Sequence, residues 1–162
     1  MGVDVTDRSA LLPRRGRASA ARLRNAGAKL LAAVDHESSG LSLVIVADRE
    51  MKRLNREYRG RDRTTDVLSF SQLEGDEVAS GDEIHLGDVV ISLPRARGQA
   101  KDGGWTLEEE LLRLLVHGLL HALGYDHEKS RREALRMRRE ELRLCHALAR
   151  EGYPCACEDG NA

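Results

Sequence analysis

The segment 107–123 constrains this chain more than any other, because its side chains are apolar around almost the whole circumference of a helix. Thr106 can cap the start of that helix, and Gly124 can adopt the left-handed backbone conformation that ends it. A helix with so little polar surface must be buried in the fold. Its polar side chains form a single stripe: Glu110, Arg113, His117 and His121. We therefore predict a fold built around this helix, with a site along the stripe.

Two histidines of that stripe, with a third beyond the helix, have the spacing of a metal site. Positions 117 and 121 are about 40° apart around a helix axis and about 6 Å apart along it, so their side chains share one face. A turn at Gly124 lets His127 approach from beyond the helix end. Histidines on an exposed polar face are the alternative, but burial of imidazoles without partners costs free energy. We predict that His117, His121 and His127 bind a divalent metal ion, zinc above all and nickel as a second choice, with a coordination position left open.

The residue after the first histidine separates this pattern from that of a zinc peptidase. The peptidase pattern H-E-x-x-H places a glutamate there, and this glutamate acts as the general base. Here the position is occupied by Gly118, which can transfer no proton. A metallopeptidase or another metallohydrolase therefore stays an alternative, but one that lacks its usual base.

A second informative segment is rich in basic residues and precedes a predicted strand at 67–71. It includes a helix that ends at Gly60, and its basic side chains outnumber the acidic ones between them. These residues are Arg49, Lys52, Arg53, Arg56, Arg59, Arg61 and Arg63. A solvated helix face and a phosphate-binding surface both agree with this composition.

Both segments resemble those of the YbeY-type endoribonucleases, the bacterial rRNA maturation factors. The stretch from His117 to His127 is similar to the family pattern H-G-x-L-H-L-x-G-Y-D-H, with Ala122 in place of a larger apolar residue. The stretch from Leu54 to Phe70 matches L-N-x-x-Y-R-G-x-D-x-x-T-[ND]-V-L-S-F at every fixed position. The resemblance extends over nearly the whole chain, from about residue 3 to residue 152.

The resemblance implies a metal-dependent, single-strand-specific endoribonuclease that matures the 3′ end of the small-subunit rRNA and takes part in ribosome quality control. It implies that Arg59 acts in cleavage beside the metal ligand His117, and that RNA is bound by Arg59, Arg61 and Arg63. Asp126 either orients a ligand histidine or caps the following helix. The ribosome or its small subunit is the implied partner. A noncatalytic ribosome-associated factor with a structural metal remains an alternative.

The composition agrees with one domain of ordinary globular type. The chain has 162 residues, enough for a single core, and its formal net charge of −1 indicates no global preference for nucleic acid. No apolar run could span a bilayer and no secretory signal is present, so we expect a cytoplasmic protein. Three cysteines, all late in the chain, make no disulfide framework. We expect a single domain over residues 1–152 and a short flexible tail over 153–162.

The hydrophobic periodicity predicts the order strand, helix, strand, helix, strand, strand and three helices. An α+β fold follows, in which the metal-bearing helix and further helices pack on a mixed sheet of about four strands. Asp48 is predicted to cap the second helix, whose inner face would carry Met51, Leu54 and Tyr58. The last helix would bury Leu135, Leu142, Cys145 and Ala149. Residues 73–82 are predicted to form an acidic surface loop.

Overall fold

The computed structural model describes residues 2–73 and 84–156, and the elements in these ranges follow the predicted order. They are β1 (Val3–Asp7), α1 (Ala20–Ala33), β2 (Gly40–Val46), α2 (Asp48–Arg59), β3 (Val67–Ser71), β4 (His85–Ser92), α3 (Leu93–Gly103), α4 (Leu107–Ala122) and α5 (Arg131–Arg150). The predicted acidic loop falls outside the described residues from position 74 onward, as does Cys157.

The strands form one mixed sheet of four strands in the order β1-β2-β4-β3. β1, β2 and β4 are parallel to one another, and β3 pairs antiparallel with β4 at the edge of the sheet. Strand β2 is a nearly continuous apolar run, and β4 is buried along most of its length, because both faces of these strands are covered. The predicted α+β fold with a mixed sheet of about four strands is therefore confirmed.

The two faces of the sheet carry cores of different size. Val89 and Ile91 of β4 point into the main core, which also contains the apolar side chains of α1, α4 and α5. Val90, between them, points to the opposite face and packs in a smaller cluster with Met51 of α2 and Leu68 of β3. Helices α2 and α4 therefore cover opposite faces of the sheet.

The main core is organised around α4, as its apolar circumference predicted. Leu111, Leu112, Leu115 and Leu119 have no exposed surface. Burial extends to the polar residue Glu110, whose carboxylate accepts hydrogen bonds from Trp105 Nε1 at 2.7 Å and from the Arg113 guanidinium. The first half of the predicted polar stripe thus has hydrogen-bond partners inside the protein, and the histidine half remains partly exposed.

Three details of the helices differ from the sequence predictions. Ala47, and not Asp48, occupies the N-cap position of α2, and the Asp48 carboxylate instead accepts hydrogen bonds from the Thr64 and Ser92 hydroxyls at 2.7 and 2.8 Å. Tyr58, predicted to lie inside, is 63% exposed. In α5, Leu135 is 54% exposed and Ala149 is exposed as well. The buried face of α5 instead carries Met137, Leu144, Cys145 and Leu148.

The chain after α5 returns to the start of α4. The Ala156 amide donates to the Glu109 carbonyl at 3.0 Å, and Ala156 is buried. The sulfur atoms of Cys145 and Cys155 lie in contact, with their α-carbons 5.4 Å apart, a separation that a disulfide can span. Sequence spacing alone did not indicate this pairing. Within the described ranges, no helix has the length and apolar character needed to cross a membrane.

Candidate metal centre

The three predicted histidines come together at the C-terminal end of α4. His117 and His121 lie on its last turns, four residues apart. The helix then ends in a tight turn, because Gly124 adopts a φ of 98° and the Tyr125 amide donates to the Leu120 carbonyl at 3.0 Å. This turn redirects the chain so that His127 lies beside the other two rings. One nitrogen of each histidine lies within 4.8 Å of the other two.

The geometry of this group fits a metal ion. The Nε2 atoms of His117 and His121 are 3.1 Å apart. Two nitrogen ligands at about 2.0–2.1 Å from a tetrahedral ion would be separated by about 3.4 Å, so small side-chain rotations bring these atoms to ligand distance. The ring of His127 lies 5.5 Å from that of His117 and 5.1 Å from that of His121, measured between centroids. The group can therefore hold a divalent ion.

Glu141 of α5 orients the first histidine. Its Oε1 atom lies 3.0 Å from Nδ1 of His117, so this carboxylate accepts the Nδ1 hydrogen and leaves the Nε2 lone pair directed at the centre of the group. Glu141 is not identifiable from the sequence, because it belongs to a different helix and no motif connects it to the histidines. Asp126, considered for this role, accepts instead a hydrogen bond from the Glu128 amide at 3.0 Å.

The electrostatic environment keeps a lone pair available for a ligand. Burial lowers the pKa of His121, and the neighbouring rings of His117 and His127 lower it further, so its neutral form is favoured. Burial alone would raise the pKa of Glu141. The hydrogen bond from His117 and the charges of His117 and Arg138 outweigh that effect, so the pKa of Glu141 is lowered. A neutral ring and an ionised supporting carboxylate are the protonation states that metal binding requires.

Gly118 allows α4 to lie unusually close to the sheet. A β-carbon added at this position would meet the Val89 side chain of β4 at 2.5 Å. The same stretch of α4 is fastened to β3, because the Ser69 hydroxyl donates to the Gly118 carbonyl at 2.8 Å and the Ser71 hydroxyl donates to the Ala122 carbonyl at 2.7 Å. The position that carries the general base in zinc peptidases is thus a packing contact here, without room for a glutamate.

An open cleft of about 1220 Å³ runs past the histidines. Its walls are the end of α2, the loop that follows, strand β3 and the turn after α4. The arginines predicted to bind RNA line this cleft together with the three histidines, and all three arginines are exposed. They are Arg59, Arg61 and Arg63. The structure therefore brings both halves of the predicted site into one cleft.

Arg59 is held against β3, the strand that also contacts α4. Its Nη2 atom donates to the Ser69 carbonyl at 2.7 Å, and its guanidinium lies 5.5 Å from the centre of the Phe70 ring. The Tyr58 ring packs edge-on against Phe70 with a centroid distance of 5.4 Å. Ser69 therefore contacts both parts of the site. Its carbonyl accepts the hydrogen bond from Arg59, and its hydroxyl donates to the Gly118 carbonyl of α4.

The fold and the site together define a class: an α+β protein whose three-histidine group can hold a metal ion and opens into an arginine-lined cleft. The family model described as Endoribonuclease YbeY matches residues 16–149. The chain belongs to this family.

Individual relatives agree with this assignment. A protein named Endoribonuclease YbeY from Anaeromyxobacter sp. (strain Fw109-5) is 45% identical over 146 residues, which cover 86% of this chain and 73% of the relative. Another of that name from Geobacter metallireducens is 43% identical over 132 residues, 81% of this chain and 87% of the relative. The solution structure of a Thermotoga maritima protein is similar to this fold with a TM-score of 0.62 and 25% identity, and it covers 93% of this chain and 91% of its own.

Proposed function

We propose that this chain is a metal-dependent endoribonuclease that cleaves single-stranded RNA, acting at the 3′ end of the small-subunit rRNA. The observation that carries the proposal is the shared cleft of Arg59 and the three histidines. The curated relatives named above are described as endoribonucleases, which supports the same activity. The proposed partner is the ribosome or its small subunit, and the proposed location is the cytoplasm. In this proposal a single endoribonuclease domain spans residues 1–152.

In this proposal His117, His121 and His127 hold one divalent ion, zinc or alternatively nickel, because imidazole nitrogens suit both metals. An ion bound there would supply Lewis-acid polarisation of a phosphoryl oxygen and of an attacking hydroxyl group. Glu141 fixes the ring orientation and tautomer of His117. Burial keeps His121 neutral, so its lone pair is available at neutral pH.

Arg59 binds the scissile phosphate. Its guanidinium carries several N–H donors, and the Ser69 carbonyl accepts from only one of its nitrogens, so the remaining donors are available for phosphate oxygens. The negative charge of a phosphodiester grows in the transition state, and a positioned guanidinium stabilises that charge. Arg61 and Arg63 bind the neighbouring phosphates. The exposed ring of Tyr58 offers a surface on which an unpaired base can stack.

The alternatives from other classes have less support. A metallopeptidase needs a base at position 118, where even a β-carbon would overlap the Val89 side chain. A noncatalytic protein with a structural metal would close the coordination sphere with a fourth side chain. Among the described residues, the group that can hold an ion consists of three histidines alone.

The test uses a fluorescently labelled single-stranded RNA, its duplex form and casein. The metal-loaded wild type should cleave the single strand only, and Arg59→Glu should lower the rate by about 100-fold or more, the usual effect of losing a charge-stabilising donor. His117→Ala should abolish cleavage. Arg49→Glu reverses the same charge at the other end of α2, outside the cleft, and should cleave like the wild type. Unchanged RNA cleavage by both Arg59→Glu and His117→Ala, or cleavage of casein, would overturn the proposal.

A further inference from the structure

A second basic surface lies beside the metal cleft, on the first turns of α5. It is a depression of about 690 Å³. We call it the α5 patch, and it is lined by Tyr125, Arg131, Arg132, Leu135, Arg136, Arg139 and Glu140. We propose that the α5 patch binds the sugar–phosphate backbone of the RNA strand that leaves the metal centre. This inference rests on the proposed function and adds a second RNA-binding surface to it.

The α5 patch adjoins the metal cleft. Tyr125 lines both depressions, since it belongs to the turn that connects α4 to His127. On the α5 side, the Arg136 guanidinium lies 4.3 Å from the centre of the Tyr125 ring. A strand that crosses the cleft past His127 therefore meets Tyr125 and then the arginines of α5.

The α5 patch carries unneutralised positive charge. Arg131, Arg132 and Arg139 are exposed, and within the described part of the chain none of them forms an ion pair. Arg136 is paired with Glu133 at 3.1 Å. The one carboxylate in the lining, that of Glu140, is engaged by Arg143 at 2.8 Å. In a chain with a formal net charge of −1, this is a local concentration of cations.

The composition of the α5 patch does not serve the stability of the helix. Arg131 and Arg132 occupy its first turn, where positive charge opposes the helix dipole. Leu135 is 54% exposed between these arginines, although the buried side of α5 is apolar. The charge placement costs free energy in the isolated protein, and both features are favourable when a ligand with phosphates and exposed base faces covers the surface.

The chemistry of the α5 patch fits single-stranded RNA. Guanidinium groups bind phosphate oxygens in a bidentate manner, and apolar or aromatic side chains contact unstacked bases. An anionic membrane or an acidic protein would also satisfy the charges. The shared Tyr125 edge with the cleft favours the RNA strand, because the phosphates of one strand can reach both surfaces.

The test compares a short and a long RNA. The variant Arg131→Glu/Arg132→Glu/Arg139→Glu is titrated, in chelator to prevent cleavage, with labelled single strands of about 4 and about 16 nucleotides, a range of site sizes common for such grooves. The variant should bind the long strand at least about tenfold more weakly and the short strand as the wild type does. The slope of log affinity against log salt should fall by about 2 on the long strand, at about 0.7 for each lost phosphate contact.

A matched control reverses three exposed arginines elsewhere. Arg15→Glu/Arg24→Glu/Arg150→Glu changes the net charge equally but leaves the α5 patch intact. It should bind both strands like the wild type. The patch variant should remain folded, because glutamates at positions 131 and 132 favour the helix dipole, and its thermal unfolding midpoint reports this directly.

Two results would overturn the inference. The first is a patch variant that binds the long strand as tightly as the wild type, or no more weakly than the control variant does. The second is loss of binding to vesicles of phosphatidylserine and phosphatidylcholine in the patch variant while its RNA affinity is unchanged. Failure of the metal-loaded wild type to cleave RNA would contradict the proposed function instead, because the α5 patch is tested by binding alone.

Discussion

Gly118 illustrates how a single residue sets the distance between α4 and the sheet. Its missing side chain lets α4 approach β4 at Val89, and its carbonyl accepts the hydrogen bond from Ser69. The two contacts fix the height of the neighbouring His117 above the sheet. The glycine therefore sets the packing of α4 on the sheet, and it stands where a zinc peptidase carries its general base.

We expect Gly118→Ala to lower the free energy of unfolding by about 1–3 kcal/mol, because the added methyl group overpacks a stiff Val89 side chain in the sheet. Urea denaturation measures the effect. Gly98→Ala in α3 is the control, since a β-carbon there meets nothing within 4 Å and the fold should be unchanged or slightly stabilised. Equal stability of the two variants would contradict the packing role of Gly118.

Glu141 is the other residue whose effect reaches the site from outside it. We expect Glu141→Ala to weaken metal binding by about 10–100-fold, the usual consequence of losing a carboxylate behind a ligand histidine. Competition with a chromophoric chelator measures the affinity. Glu141→Gln should recover part of the loss, because its amide oxygen can still accept the Nδ1 hydrogen.

Glu140→Ala is the matched control for Glu141, because the Glu140 carboxylate interacts with Arg143 and not with a histidine. It should bind metal like the wild type. Equal metal binding by Glu141→Ala and Glu140→Ala would contradict the role of Glu141 in orienting His117.

At the scale of elements, the start of α4 is tied to α1 by one carboxylate. The buried Glu108 accepts hydrogen bonds from the Ala18 amide at 3.0 Å and from Arg22 Nε at 2.7 Å. Burial alone would raise the pKa of Glu108. The hydrogen bonds from Arg22 and Ala18 outweigh that effect, so its pKa in the folded protein is lowered. The contact thus stabilises the fold only while Glu108 is ionised.

This contact predicts an acid-dependent loss of stability. Its contribution is complete above the ordinary carboxyl pKa of about 4.3 and disappears as the pH falls through the lower pKa of the folded state. At pH 7 we expect Glu108→Gln to cost about 1–3 kcal/mol, with the difference from wild type shrinking below about pH 4. Urea denaturation across this pH range measures it. Glu109→Gln, in the same turn, should show a small difference that does not follow this pattern; a constant cost for Glu108→Gln would refute the mechanism.

Most elements of the fold could be predicted from sequence because their periodicity is strong. The apolar circumference of α4, the runs of β2 and β4, and the glycine stops at positions 60 and 124 each specify a local structure. The faces of partly buried helices were harder to predict. In α5, Leu135 lies about 200° around the axis from Met137, so a face drawn through Leu135 points away from the core. Tyr58 was misplaced as well, because it faces the cleft and packs edge-on against Phe70 instead of entering the core.

The residues of the candidate site also differ in how well the sequence predicts them. The histidine group could be predicted because its spacing lies within one helix and one turn, where sequence distance fixes geometry. Glu141 could not, because its approach to His117 depends on how α5 docks on α4, and no local pattern encodes that. The arginines of the cleft were found through a family pattern, since composition alone favoured a solvated helix face over a phosphate-binding surface.

At the scale of the whole molecule, metal binding should stabilise the fold. An ion that binds only the folded state at about 1,000 times its dissociation constant adds about 4 kcal/mol to the free energy of unfolding. We expect zinc to raise the thermal unfolding midpoint of the wild type and to have no such effect on His121→Ala. His146→Ala removes an exposed histidine of α5 and should respond to zinc like the wild type. An equal response of His121→Ala would contradict the metal site.

The placement of α2 and α4 on opposite faces of the sheet has a consequence for how such a protein can change. Arg59 lies at the end of α2, and two of the three histidines belong to α4; the edge strand β3 contacts both parts of the site through Ser69. Substitutions in the stretch 61–66 can therefore alter which polymer is bound while leaving the three histidines undisturbed. A mutational library confined to that stretch is the natural starting material for redirecting the enzyme toward new nucleic-acid targets.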